Sequence, residues 1–190
     1  MVFLALYDAG DFGLFPHSRI AQAFSAPAMK EIEIVRLDLQ KIPSRKRIEV
    51  IRENIDRTDF IAMGVGTYTF MHSWAHFAGI YGFTKNRPML AASEVPLHTG
   101  WEVEMTEGPN PFSRVQWRIH GREIGLYSLD NVFEVIWTLK RTTPRNSVHY
   151  RLEGEVGFVE EVAPMYRWDP TSVNRNLFKW IERSLWLAGL

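Results

Sequence analysis

Apolar residues fall into two kinds of run along the first half of the chain. Val2–Tyr7, Ile32–Leu37, Phe60–Val65 and Met89–Ala92 are short and almost unbroken, the signature of strands buried on both faces. Between them the spacing changes. Ile48, Ile51 and Ile55 recur at helical intervals, and Ser44 before them is a candidate helix cap. His72–Gly79 also reads as a helix, closed by Lys85-Asn86-Arg87-Pro88. A short helix over His17–Ala26, with Ile20, Ala23 and Phe24 inward, completes the alternation and is limited by Pro27. The order β-α-β-α-β-α-β predicts an α/β fold: a flavodoxin-like parallel sheet with helices on both faces.

After Ala92 the pattern changes. Residues 98–111 are rich in turn formers and acids, including Glu102, Glu104 and Glu107, and Gly108-Pro109-Asn110-Pro111 is a strong turn signal. Val115–Ile119 and Glu123–Tyr127 flank His120-Gly121 and predict a hairpin. Ile124–Tyr127 is also a candidate for the last strand of the main sheet. Val132–Leu139 and Val148–Val162 fit strand or helix. Asp169-Pro170 opens a C-terminal helix whose apolar stripe is Val173, Leu177, Trp180, Ile181 and Leu185. One domain over residues 1–190 is expected, with a core of about 1–130 and additions over about 131–190.

Composition narrows the classes. The formal net charge is zero, so bulk electrostatics makes no case for nucleic acid or an anionic membrane. The basic cluster Arg45-Lys46-Arg47 reads as a solvated helix face. No cysteine is present, which excludes disulfides and thiolate chemistry. The apolar start lacks a basic leader, and Asp8 and Asp11 follow at once, so a first strand in a cytoplasmic protein is expected.

Candidate chemistry is sparse. A strand that opens at its carboxyl end into a loop and a helix is where open α/β sheets place ligands. Here that is Phe60–Val65, the loop Gly66–Phe70 and the helix after it. Tyr7, Asp8, Phe12, Tyr68 and Trp74 are expected around this cleft. Tyr7, Phe12, Tyr68 and Phe70, at strand ends, are able to stack on a nucleobase or nicotinamide or simply to close over the core, whereas Trp74, with Phe77 and Tyr81, also reads as a core residue. His72 and His76 share a helix face, but the residues between them are not those of a zincin, and a structural role outweighs metal ligation. The glycine-bearing loop 8–13 is no dinucleotide fingerprint, and neither a nucleophile elbow nor a Walker-type loop appears.

Three stretches carry a family resemblance. The first is Asp59–Val65 followed by Thr69-Phe70 and Ser73-Trp74; the second is Gly108-Pro109-Asn110-Pro111-Phe112 ahead of a hairpin; the third is Tyr166-Arg167-Trp168 with Asn176, Phe178 and Trp180 of the last helix. In their order and spacing they resemble the TIR-like ThsB proteins of the Thoeris antiphage defence system, across nearly the whole chain. The resemblance implies a TIR-type flavodoxin-like fold with the hairpin and C-terminal helix as family additions. It also implies NAD as substrate and conversion to a cyclic ADP-ribose-type signal. A separate effector protein would answer that signal, and there is room for a homo-oligomer. The implied chemistry resembles glycosidic cleavage, with a carboxylate steadying an oxocarbenium-like state.

The chain departs from the family at one place. The TIR glutamate lies four residues beyond the tryptophan, and that position holds Ala78. Alanine accepts no hydrogen bond from ribose and balances no positive charge, so the chain as written is expected to be inactive. Two origins stand open: a natural, binding-only member of the family, or an engineered replacement of glutamate by alanine. A non-catalytic sensor or scaffold for nucleotide or protein partners is the rival function. A nucleoside deoxyribosyltransferase-like enzyme is a second rival, and the missing carboxylate counts against it too.

Overall fold

Four apolar runs become four strands, β1 (Val2–Tyr7), β2 (Glu33–Asp38), β3 (Phe60–Val65) and β4 (Met89–Glu94). The structure, a computed structural model, describes residues 1–8, 32–94, 108–121, 123–128, 135–140, 150–168 and 173–190. The expected helix over 17–26, the loop after Asp8 with Phe12, Glu102, Glu104, and the Asp169-Pro170 cap lie outside these residues. Helix α1 (Ser44–Arg57) joins β2 to β3, and α2 (Ser73–Thr84) joins β3 to β4. Ser44 is the first helical residue rather than a cap, and no side chain caps this end. At the other end of α2, Asn86 takes φ 53°, its N–H bonds the Phe83 carbonyl, and the Arg87 N–H reaches back to Gly82. That left-handed stop satisfies carbonyls the helix leaves open.

The strands pair in parallel in the order β2-β1-β3-β4, with Leu4 opposite Ile61 and Ala62 opposite Leu90. β3 is central and every one of its six residues is buried, as an unbroken apolar run requires. The fifth strand corrects the expectation that the hairpin supplies it. Instead β9 (Met165–Trp168) pairs in parallel with β4, Ala91 opposite Met165. The hairpin strands β5 (Val115–His120) and β6 (Glu123–Ser128) are joined by a two-residue turn. Such a turn commits β6 to an antiparallel partner, whereas a parallel partner for β4 needs a longer crossover. Gly121 takes φ 62°, which hairpin turns of this kind demand. The hairpin grows into a separate antiparallel sheet, β7-β6-β5-β8. β7 (Val135–Lys140) and β8 (Val156–Phe158) fall in the two ambiguous stretches, the second of which also holds a 3-10 turn over Val159–Glu161, while residues 132–134 and 148–149 lie outside the described residues. The main sheet's order is the flavodoxin-like 2-1-3-4-5, and the fold class is α/β.

Side chains alternate across the sheet, and the two sets build two cores. Leu4, Leu6, Ile61, Met63, Met89 and Ala91 meet Ile51 and Ile55 of α1 and the buried residues of α2. This core continues into Phe112, Val115, Trp117, Ile124 and Leu126 of the antiparallel layer. Phe3, Ala5, Phe60, Ala62, Leu90 and Ala92 face the other way, onto Leu177 and Ile181 of α3 (Val173–Leu187). Trp180 of α3 stacks on Tyr166 of β9 at 4.8 Å. Leu177, Trp180, Ile181 and Leu185 of the stripe read from the sequence thus lie on the face that α3 packs against the sheet.

Candidate functional site

The chain leaves β1 for β2 on one side and returns across β1 to β3 on the other. Open α/β sheets bind ligands in the crevice at such a reversal, outside the carboxyl ends of the strands. Asp8 follows β1 there, and Gly66 follows β3.

Asp8 is 6% exposed and its carboxylate lies 3.5 Å from Nη1 of Arg47 on α1. Arg47 is held from its other edge, its Nε donating to the Ile42 carbonyl at 3.1 Å. Arg45 and Lys46 are exposed, as a solvated face predicts; Arg47 departs from that expectation because it turns inward to a buried carboxylate. Tyr7, one residue earlier, falls by alternation on the α3 side of the sheet, beside Asp38 of β2. Burial first, and then the Asp38 carboxylate, push its hydroxyl pKa up, so Tyr7 stays a neutral phenol. Tyr7 and Asp8 thus point to opposite faces, and Asp8 alone shares the side occupied by α1 and α2.

The loop after β3 folds on itself. The Thr69 hydroxyl accepts from the Gly66 N–H at 2.8 Å, and a 3-10 turn spans Thr69–Met71. Tyr68 stands on this loop with 60% of its surface exposed, and Met71 is exposed too. His76 Nε2 lies 2.7 Å from the Phe70 carbonyl. A carbonyl only accepts, so Nε2 carries the proton and His76 is a tie between α2 and the loop. His72 stacks on Trp74, ring centroids 5.9 Å apart. Among the described residues no group of three or more His, Cys, Asp or Glu side chains is placed to hold a metal ion.

Trp74 and Ala78 lie one turn apart on α2. Trp74 is 2% exposed, and its indole N–H has no hydrogen-bond partner among the described residues. A buried donor left open costs on the order of 1–3 kcal/mol and calls for an acceptor. Ala78 is 0% exposed and belongs to the core that runs into Phe112 and Trp117. The structure therefore brings Asp8, Trp74 and Ala78 to one side of the sheet, puts Tyr68 on the loop that leads from β3 into α2, and turns Tyr7 to the other side. Arg47 is the residue sequence reasoning missed; a run of three bases carries no sign of which one turns in.

No helix among the described residues is long and apolar enough to cross a membrane. Neither a model of a known protein family nor a curated protein matches the chain.

Proposed function

We propose that the protein is a TIR-like member of the Thoeris type of antiphage defence. Its ligand is NAD or a nucleotide derived from it, bound where the carboxyl ends of β1 and β3 meet the start of α2. In the active relatives that the sequence resembles, NAD is cleaved and cyclised into a signal read by a separate effector. This chain binds without cleaving. One observation carries the proposal: one turn beyond Trp74, where those relatives place a carboxylate, α2 has the enclosed methyl group of Ala78. Three features support the ligand's location: the reversal of strand order between β1 and β3, the half-buried Arg47 paired with buried Asp8 after β1, and the open indole donor of Trp74. Cleaving the nicotinamide–ribose bond builds positive charge on the sugar, and no group at position 78 can balance it.

The test is nicotinamide release from NAD by the purified chain and by Ala78→Glu, with infected-cell extract as activator. A positioned charge partner is worth on the order of 10²–10³ in rate. The unmodified chain is expected to be silent and Ala78→Glu to release nicotinamide. Ala78→Gln, nearly the same shape without the charge, shows whether the enclosed site tolerates a long side chain. Release by the unmodified chain would assign the chemistry to another residue. A folded, NAD-binding but silent Ala78→Glu would leave a sensor or scaffold. Failure of the unmodified chain to bind either NAD or ADP-ribose in calorimetric titrations would remove the nucleotide altogether.

A further inference from the structure

The turn over residues 108–112 touches three parts of the molecule that are distant in sequence. A Cβ on Gly108 would collide with the Gly66 carbonyl oxygen and come within 3.0 Å of that of Thr67. Only a residue without a side chain can press its backbone against the start of the β3–α2 loop. Two residues on, the buried Asn110 uses both ends of its amide. Its oxygen accepts from the Phe112 N–H at 3.0 Å, and its nitrogen donates to the Ala163 carbonyl at 3.2 Å, just before β9. Phe112 then lies against α2, its ring 2.7 Å from where a Cβ on Gly79 would stand. Asn110 fixes the turn's shape, Phe112 fixes it to the helix, and Gly108 meets the loop. Exposed Tyr68 and Met71 give the tip of that loop little packing of its own.

Resting on the function proposed above, we propose that Gly108 and Asn110 are positioning residues for the ligand site. They set the height of the Gly66–His72 loop over the carboxyl end of β3, and so the entrance to Trp74. Neither needs to touch ligand. Gly108→Ala lifts the loop by the bulk of one methyl group. Asn110→Ala removes the amide that shapes the turn and leaves the buried Phe112 N–H and Ala163 carbonyl without it.

Hydrogen exchange on the full-length chain decides the positioning role, and ADP-ribose titration decides its consequence. In both variants the amides of residues 66–72 are expected to exchange about tenfold faster or more while those of α3 keep their rates, the mark of local opening. ADP-ribose affinity is expected to fall by a similar factor. Unchanged exchange at 66–72, or acceleration spread evenly through α3, overturns the proposal; so does a loosened loop with unaltered affinity. If the unmodified chain binds neither NAD nor ADP-ribose, the proposed function fails by itself, and the exchange comparison still decides whether the turn holds the loop.

Discussion

Helices α1 and α2 cover the same side of the parallel sheet and touch each other, yet only α1 has a solvent face. It buries Ile51 and Ile55 and, Arg47 apart, turns its charged residues outward, as an amphipathic surface helix does. In α2, nine of twelve residues are buried, so the helix has no outer side to speak of. The antiparallel layer makes the difference, because Phe112, Val115 and Trp117 cover the flank that would otherwise meet water. A side chain along α1 is seen by solvent; one along the middle of α2 is seen only by protein. The end of α2 open to a ligand is its amino end, where Ser73 is exposed and the loop enters, so a long side chain at position 78 has to extend back toward that end to meet one.

Three measurements sharpen or break this contrast. The largest effect is expected from Phe112→Ala, which strips the cover from α2. Truncating a fully buried phenylalanine costs about 3–5 kcal/mol, whereas Glu53→Ala on the outer face of α1 should stay within about 0.5 kcal/mol. Urea unfolding of both variants checks this, and a loss below about 1 kcal/mol at Phe112 would mean that α2 is not truly enclosed. Tyr150→Phe should come next. Tyr150 stacks on Phe83 of α2 at 4.6 Å, and its hydroxyl donates to the Arg87 carbonyl. Burial drives that hydroxyl's pKa far up, so it remains a donor throughout the working range. Removing it should cost about 1–3 kcal/mol by the same assay.

The smallest effect sits where the two helices meet solvent together. Asp56 of α1 accepts from Lys85 at 2.7 Å and from the Tyr81 hydroxyl at 3.0 Å. The hydrogen bond from Lys85 leads in holding the Asp56 pKa below 3.8. A carboxylate whose pKa is lower folded than unfolded stabilises the fold above its unfolded pKa and loses that contribution as pH falls through the folded one. Lys85→Met should therefore flatten the decline in stability below about pH 4 and leave the profile above pH 6 parallel to the parent's. An unchanged acid limb in thermal melts would show that this exposed pair contributes nothing measurable.

The first four strands of the parallel sheet were legible because each is a lone apolar run, and the connections from β2 to β3 and from β3 to β4 because each carries a helical run. Legibility ended at β9. Between β4 and β9 the chain builds a whole second sheet, and Met165-Tyr166-Arg167-Trp168 is too short and too polar to announce a strand. α2 was readable in its existence but not in its burial, since a helix enclosed on all sides shows no amphipathic stripe. At the candidate site, Asp8 was placed by its position after β1 and Trp74 by the loop–helix entry, while Ala78 was singled out by the family resemblance alone; helix spacing then sets Trp74 and Ala78 one turn apart. Tyr7 did not, because one step along a strand reverses the face, and a cleft drawn from loop ends alone ignores that alternation. Arg47 was hidden for the opposite reason: its neighbours Arg45 and Lys46 are what they look like, solvated bases.

The place of β9 in the chain also governs the order of assembly. While the polypeptide is being made, β4 has β3 on one side and nothing on the other until Met165 and its neighbours have been synthesised. The antiparallel sheet, built largely from near neighbours in sequence, closes small loops and is expected to form first; the Ala91–Met165 pairing closes a long one and follows. An unpaired strand is a template for another chain. The nascent molecule thus exposes an edge of β4 that the folded one does not, and β9 is the element that covers it.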